Sequence, residues 1–369
     1  MAAESFAAVV GQEHVKGILA RALERERLSH AYLFYGQPGI GKNAMGIALA
    51  RGLFCEIEPA GGCGSCKSCM SLIKGEHPGF FPVLAAPTKP RQMSDNKYSE
   101  IIMERTKRFL QDPYRPVSYY PELTTMPLIT IDQVRAMKKV VMLRTAGSHY
   151  RVFILPEAER MNQESANSLL KLLEEPPQKT MLVLTSSFPG RLLKTIVSRC
   201  QQIRFDPLKE GEIEAALVEL ESADRSRAAF LAKMSGGSLQ RALSFLDEEF
   251  GDRRKRAVQF LEASLSTRMD SRLSGIMDLI GLNDRSVIME VLQLMHIWMR
   301  DMLLLRTGNT EQLMNIDSVD ELKRFSAKWP GIDLESGLSS VEGSIDYIQK
   351  NVYLQLVIFT LARKLYMCR

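Results

Sequence analysis

The stretch AYLFYGQPGIGKNAM, residues 31–45, decides the architecture. Its first five residues are mostly apolar and have the length of a buried strand. A glycine-rich loop follows at once, and residues 43–54 carry a helical pattern. Strand, loop and helix in that order aim backbone N–H groups at a helix N-terminus, where anions bind. Gly36, Gly39 and Gly41 let the backbone wrap closely around phosphates. Lys42 reaches the β- and γ-phosphates as a point charge. The usual loop reads G-x-x-x-x-G-K-[ST], and here Asn43 stands where the hydroxyl residue that holds Mg²⁺ belongs.

Outward from the loop, strand-like runs recur at residues 80–84 (FFPVL, weakened by Pro82), 151–155 (RVFIL), 181–185 (MLVLT) and 202–205 (QIRF). Helical patterns lie between them at 98–111, 131–142 and 164–175, the last closed by Pro176 and Pro177. This alternation predicts an α/β domain, a P-loop-type parallel sheet covered on both faces. After Pro207 the strand signals stop. The expected plan is an α/β domain over 1–206, a small helical lid domain over 207–249, and an all-α C-terminal domain over 250–369.

With 369 residues, 45% of them hydrophobic and 25% charged, the chain reads as an ordinary globular protein of two or three domains. A net charge of +5 permits a nucleic-acid surface without requiring one. The N-terminus, MAAESFAAVVGQ, lacks a basic flank before a continuous apolar core, so it does not read as a signal peptide. The apolar stretch 287–305 is broken by Glu290, Gln293, His296, Arg300 and Asp301, which argues for a buried helix and against a membrane span. The expected location is the cytoplasm.

Phosphate-loop hydrolysis needs a second acidic site. A working strand after the loop ends in an Asp that completes the Mg²⁺ shell, with a Glu behind it that polarises water. In RVFILPEAERMN, Glu157 stands at the Glu position, but Pro156 stands at the Asp position and offers no ligand. Both protein-derived Mg²⁺ ligands are thus replaced. The expectation is a degenerate site at which ATP or ADP can be held by backbone N–H groups and Lys42 but is not hydrolysed.

Four of the six cysteines, Cys55, Cys63, Cys66 and Cys69, fall in one short run spaced C-x7-C-x2-C-x2-C. Without signs of secretion, clustered thiols point to metal before disulfides. Four thiolates suit a structural Zn²⁺ and leave no open position for catalysis. Gly61, Gly62 and Gly64 supply tight turns, a redox pair is the remaining alternative, and nearby His77 reads as a loop residue before Pro78.

Several stretches occurring in order, VVGQEHVKGIL (9–19), SHAYLFYGQPGIGK (29–42), the cysteine cluster, NSLLKLLEEPP (167–177), TIVSRCQQIRF (195–205) and GGSLQRAL (236–243), resemble the AAA+ clamp-loader subunits of bacterial DNA polymerase III. The resemblance covers about residues 5–245. It implies a ring of subunits that uses ATP to open a sliding clamp and close it on primer–template DNA. The implied partners are the gamma/tau motor subunits, the delta subunit, primer–template DNA and the clamp, with no membrane. It also implies a zinc module at 55–69 and C-terminal helices that hold the ring together. Asn43 and Pro156 make the chain look like a member whose own site is degraded.

From residues alone, Arg199 reads as the partner of a local carboxylate such as Glu174 or Glu175. The resemblance implies instead that the arginine of Ser198-Arg199-Cys200 reaches into a neighbour's ATP site as a catalytic finger. Motor subunits carry an arginine where Gln240 stands here, and Arg241 lies one residue later, on another helical face. Thr185, Ser186 and Ser187 read either as a γ-phosphate sensor or as a strand exit. Arg105, Lys107 and Arg108 read as a solvated helix face or a DNA contact, within a stretch, 86–127, that has no clear role. Two rival readings remain open: an ATP-hydrolysing motor subunit, and a zinc-dependent nucleic-acid-binding module.

Overall fold

The computed structural model describes residues 6–58, 61–115, 127–142, 150–246, 249–282, 284–315, 318–350 and 352–369. The chain divides into two compact units, Met1–Ser244 and Phe245–Arg369.

The first unit runs α1 (Glu13–Glu24), β1 (Ala31–Tyr35), α2 (Lys42–Phe54), α3 (Lys67–Ile73), β2 (Phe80–Pro82), α4 (Asp95–Gln111), α5 (Ile131–Met142), β3 (Arg151–Leu155), α6 (Gln163–Glu174), β4 (Thr180–Ser186), α7 (Lys194–Val197), β5 (Gln201–Arg204), α8 (Glu210–Glu221), α9 (Arg225–Met234) and α10 (Leu239–Ser244). The strands form one five-stranded sheet in the order β2-β3-β4-β1-β5. Every pairing is parallel, with Ala31 opposite Leu182, Tyr32 opposite Gln201, and Arg151 opposite Thr180. The expected α/β class and its parallel sheet are therefore present.

Alternation along the strands sends two sets of side chains to opposite faces. Leu33, Phe153, Leu155, Leu182 and Leu184 join Val134 and Met137 of α5 and Leu169, Leu172 and Leu173 of α6 in one buried cluster. Each of those leucines contributes roughly 2 kcal/mol by leaving water. On the other face Ile154 and Val183 press against Gly46 of α2, where a Cβ would stand 2.7 Å from Ile154 Cδ1. The Phe34 ring packs tilted against Phe205, with centroids 5.2 Å apart.

Local signals set the element ends. The Asn162 side chain accepts from Ser165 N and caps α6. Ser94 caps α4 in the same way, so this helix starts before the predicted residue 98. Strand β2 ends at Pro82, short of the predicted 84, and pairs only with β3 at the sheet edge, where a missing N–H is tolerated. Arg105 of α4 departs from the solvated-face reading. It is buried and donates to the Ala85 carbonyl at 3.3 Å, while exposed Arg108 pairs with Glu104. Within the 86–127 stretch, residues 116–126 lie outside the described residues.

The second unit contains α11 (Glu249–Leu265), α12 (Met269–Ile280), α13 (Arg285–Arg306), α14 (Val319–Lys328), α15 (Leu334–Gln349) and α16 (Leu354–Met367), and no strand among its described residues. Val291, Leu292, Met295, Trp298 and Met299 of α13 are buried, along with Val341 of α15 and Ile358 and Leu361 of α16. Gly337 lets α15 approach the tip of Met299. Fully buried Asp301, one of the charges that interrupts the apolar stretch 287–305, accepts from Met314 N, Asn315 N and Asn315 Nδ2 at 2.7–2.9 Å. No described helix is long and apolar enough to cross a membrane.

Candidate nucleotide cleft and metal centre

β1, flanked by β4 and β5, ends at Tyr35, and the glycine loop carries the chain from there to the N-terminus of α2. Lys42 opens that helix and is buried. Its ammonium donates to the Gly36 carbonyl at 2.8 Å, the Gln37 carbonyl at 2.6 Å and Ser187 Oγ at 3.2 Å. Burial pulls its pKa down to about 8, against the opposing pull of Glu159 and Glu157.

Asn43 lies next to Lys42 on α2, and its Oδ1 accepts from Thr185 Oγ1 at 2.8 Å. The amide oxygen that could have approached a metal is committed to a hydroxyl at the end of β4. Thr185 also accepts from Glu157 N at 3.3 Å, so Asn43, Thr185 and the exit of β3 form one chain of hydrogen bonds. Glu157 sits in a left-handed backbone conformation, φ 50°. Its carboxylate pairs with Arg160 Nε at 2.6 Å. Pro156 precedes it and has no ligand atom to offer.

One acidic residue of this site escaped sequence reasoning. Glu159 Oε1 accepts from Ser187 N at 3.0 Å, and its other oxygen is buried with no hydrogen-bond partner. It lies two residues beyond the position that the motif pattern marks. The only hint was a second acid in PEAER.

The small helices α8–α10 close on the loop from the other side. Gln240 N donates to the Gly39 carbonyl at 3.3 Å, and Gln37 Nε2 donates to the Gly236 carbonyl at 3.0 Å. A Cβ on Gly39 would collide with Ser238 Oγ and Gln240 Cβ, so only glycine fits there. Gln240 is thus the α10 residue that touches the loop. The neighbouring segment is tied down by Gln12, which donates to the Ile40 carbonyl at 3.1 Å and the Asp206 carbonyl at 2.7 Å.

Arg199 follows α7 and is not part of this cleft's hydrogen-bond network. Its guanidinium pairs with Glu174 Oε1 at 2.8 Å and donates to the Thr195 carbonyl at 3.0 Å, with 36% of the side chain exposed. The local carboxylate partner is Glu174. Cys200 is buried just before β5.

Cys55, Cys63, Cys66 and Cys69 converge, their Sγ atoms all within 4.8 Å of one another. Cys55 Sγ and Cys66 Sγ are 3.8 Å apart. Tetrahedral zinc with Zn–S about 2.3 Å sets sulfurs about 3.8 Å apart, so the donor set and spacing fit that ion. Backbone N–H groups already point at the sulfurs: Glu58 and Cys63 to Cys55, Cys66 to Cys63, and Cys69 to Cys66, at 3.2–3.4 Å. Bonds from the Ser65 hydroxyl and N–H and from Cys66 N lower the Cys63 thiol to about 6. Burial pushes Cys55 up, but N–H groups of Cys63, Glu58 and Ile57 outweigh it and leave that thiol below its usual value. Burial raises Cys69 to about 12. His77 stays outside the cluster: its Nδ1 accepts from Gly79 N at 3.1 Å and its ring lies 4.1 Å from Phe54.

Sheet order, degenerate loop and thiol cluster sit in one span of chain, and the family model described as DNA polymerase III, delta subunit matches residues 11–209 of it. The chain belongs to this family. Among its relatives, DNA polymerase III subunit delta' of Bacillus subtilis is 29% identical over 317 residues, 85% of this chain and 84% of that one. DNA polymerase III subunit tau of Escherichia coli is 31% identical over 281 residues, 74% of this chain. This DNA polymerase III delta family member spans 36% of the tau chain's length. A crystal structure of a DNA polymerase III gamma subunit-related protein from Thermotoga maritima aligns with 95% of this chain and 99% of its own, at 14% identity and a TM-score of 0.44.

Proposed function

We propose that the chain is the delta-prime-type subunit of a DNA polymerase III clamp loader, a passive member of a ring that loads a sliding clamp on primed DNA in the cytoplasm. The carrying observation is the state of the cleft. The Asn43 amide is bonded to Thr185, Lys42 is tied to its own loop, and Pro156 replaces the metal-binding acid. Such a site lacks the side chains that hold Mg²⁺ on a transferring phosphoryl group. Hydrolysis therefore belongs to neighbouring gamma/tau-type subunits.

In this reading Arg199 is the chain's contribution to catalysis. Its guanidinium is partly exposed at a surface turn and held by the exposed Glu174 carboxylate and the Thr195 carbonyl, a surface pairing weak enough to exchange for a nucleotide phosphate across an interface. Cys55, Cys63, Cys66 and Cys69 hold one structural zinc. Residues 1–206, 207–249 and 250–369 act as ATPase-like domain, lid and ring-forming collar. Exposed apolar side chains in the second unit support the last role. Met269, Leu273 and Met277 form an i, i+4, i+8 stripe on α12, and Leu356 and Phe359 are exposed on α16, which packs beside it with Arg272 4.1 Å over the Tyr366 ring.

The test is to reconstitute the ring with gamma/tau and delta partners, the clamp and primed DNA. Arg199→Ala is expected to lower ring ATPase by about 10³-fold or more at the site it serves, with assembly unchanged. Undiminished ATPase in an intact ring would refute the finger.

A further inference from the structure

Tyr114 lies within the 86–127 stretch, the segment for which the proposed function has no use. Helix α4 leads to it, anchored by buried Ile101, Phe109 and Leu110 and by the Arg105 bond to Ala85. After α4 the chain turns on Asp112, whose Oδ1 accepts from Tyr114 N at 3.3 Å and Arg115 N at 3.2 Å. Arg115 fastens that turn to α8 through Glu221 at 2.7 Å. The turn drives the Tyr114 ring inward until it is only 5% exposed.

The ring ends at the phosphate loop. Its hydroxyl accepts the Val10 backbone N–H at 2.9 Å. A Cβ built on Gly41 would stand 3.0 Å from that hydroxyl and 3.5 Å from Tyr114 Cε1. Gly41 is the last loop residue before Lys42, and Val10 belongs to the segment that Gln12 ties over the loop. The ring therefore lies between Val10 and Gly41 of the phosphate loop, beside the place where the phosphates of a bound nucleotide would lie. It is an aromatic ring of about the size of a nucleobase, and its hydroxyl takes up the Val10 backbone N–H. Gln240 and Ser238 lie against Gly39, and the Lys42 ammonium is bonded to the Gly36 and Gln37 carbonyls.

We infer that Tyr114 is a built-in occupant of the base position, so that this chain's own insert keeps its phosphate loop empty of purine nucleotide. The inference rests on reading the cleft as a nucleotide site. It adds a steric block to the missing Mg²⁺ ligands, and it explains what a loop with an intact lysine and glycines does: it serves as a seat for the insert.

The test is titration of the full-length, metal-loaded protein with ADP and ATP by calorimetry, with and without Mg²⁺. Wild type is expected to bind neither, with Kd weaker than about 1 mM. Tyr114→Ala is expected to bind at least about tenfold more tightly, because the competing side chain is gone. Adding Lys42→Ala to it is expected to abolish that binding. Arg115→Ala, a surface change that frees the turn from α8, is expected to bind more tightly than wild type and carries the test if Tyr114→Ala does not fold. Micromolar binding by wild type overturns the inference, as does a folded Tyr114→Ala protein that binds no better than wild type. Ring ATPase in the Arg199→Ala experiment reads a different residue, so failure there leaves these outcomes interpretable, and the reverse holds too.

Discussion

Lys42 is the residue at which electrostatics and packing conflict most openly. Burial lowers its pKa from 10.5 to about 8, so above pH 8 the folded chain sheds a proton that the unfolded chain still holds. Where the unfolded state binds more protons, stability rises with pH. The window is therefore 8 to 10.5, with no gain from this group below 8. Lys42→Met keeps the volume and lacks the titration. The wild-type urea midpoint is expected to gain on the Lys42→Met midpoint between about pH 7.5 and pH 10. A constant difference across that range would show that Lys42 does not titrate as a buried amine. At this scale the motif made Gly36, Gly39, Gly41, Lys42 and Asn43 legible, since their spacing is local. Glu159 and Tyr114 were not legible, because each reaches the loop through tertiary packing that leaves no periodic trace in its own segment.

The thiol knuckle is the element with the clearest dependence on something outside the polypeptide. Its geometry joins the end of α2 to the start of α3 through Cys55 and Cys66, with Gly62 and Gly64 at positive φ in the turn between them. Replacing one thiolate leaves three ligands and removes most of the metal affinity. Cys66→Ser is expected to drop bound zinc from one per chain to a small fraction, measured by elemental analysis. An ion held by the four thiolates would tie two helices in a first unit of 244 residues, so its loss is expected to lower Tm by about 2–4 °C for each kcal/mol it contributes. An unchanged Tm in zinc-depleted protein would mean that the knuckle folds without its ion. Elements were the most legible level. AYLFY, RVFIL and the 131–142 helix stand where their patterns end, because apolar period and flanking breakers are both local. α4 was misjudged at its start and on one face, since a Ser94 cap outweighs weak periodicity and Arg105 is drawn inward by a carbonyl that no sequence window shows.

The whole molecule divides into a sheet-bearing unit and a helical unit, and the proposed ring contact lies on the second. The stripe of Met269, Leu273 and Met277 makes that contact testable. Met277 is 62% exposed and supports no core, so Met277→Lys is expected to leave stability within about 0.5 kcal/mol of wild type. The same change is expected to weaken co-purification with ring partners at least about tenfold, as burying one unmatched charge at an interface does. Full assembly of that variant would move the ring contact away from α12. The sheet's order carries a different consequence, one for synthesis on the ribosome. β1 pairs only with β4 and β5, so Ala31 waits for Leu182 and Tyr32 for Gln201. At about 5–20 residues per second, the roughly 150 residues between them take about 8–30 s to emerge. For that time the sticky AYLFY segment has no native strand partner. A nascent chain of this protein stalled before residue 180 should therefore cling to chaperones, and one stalled well past residue 205 should release them.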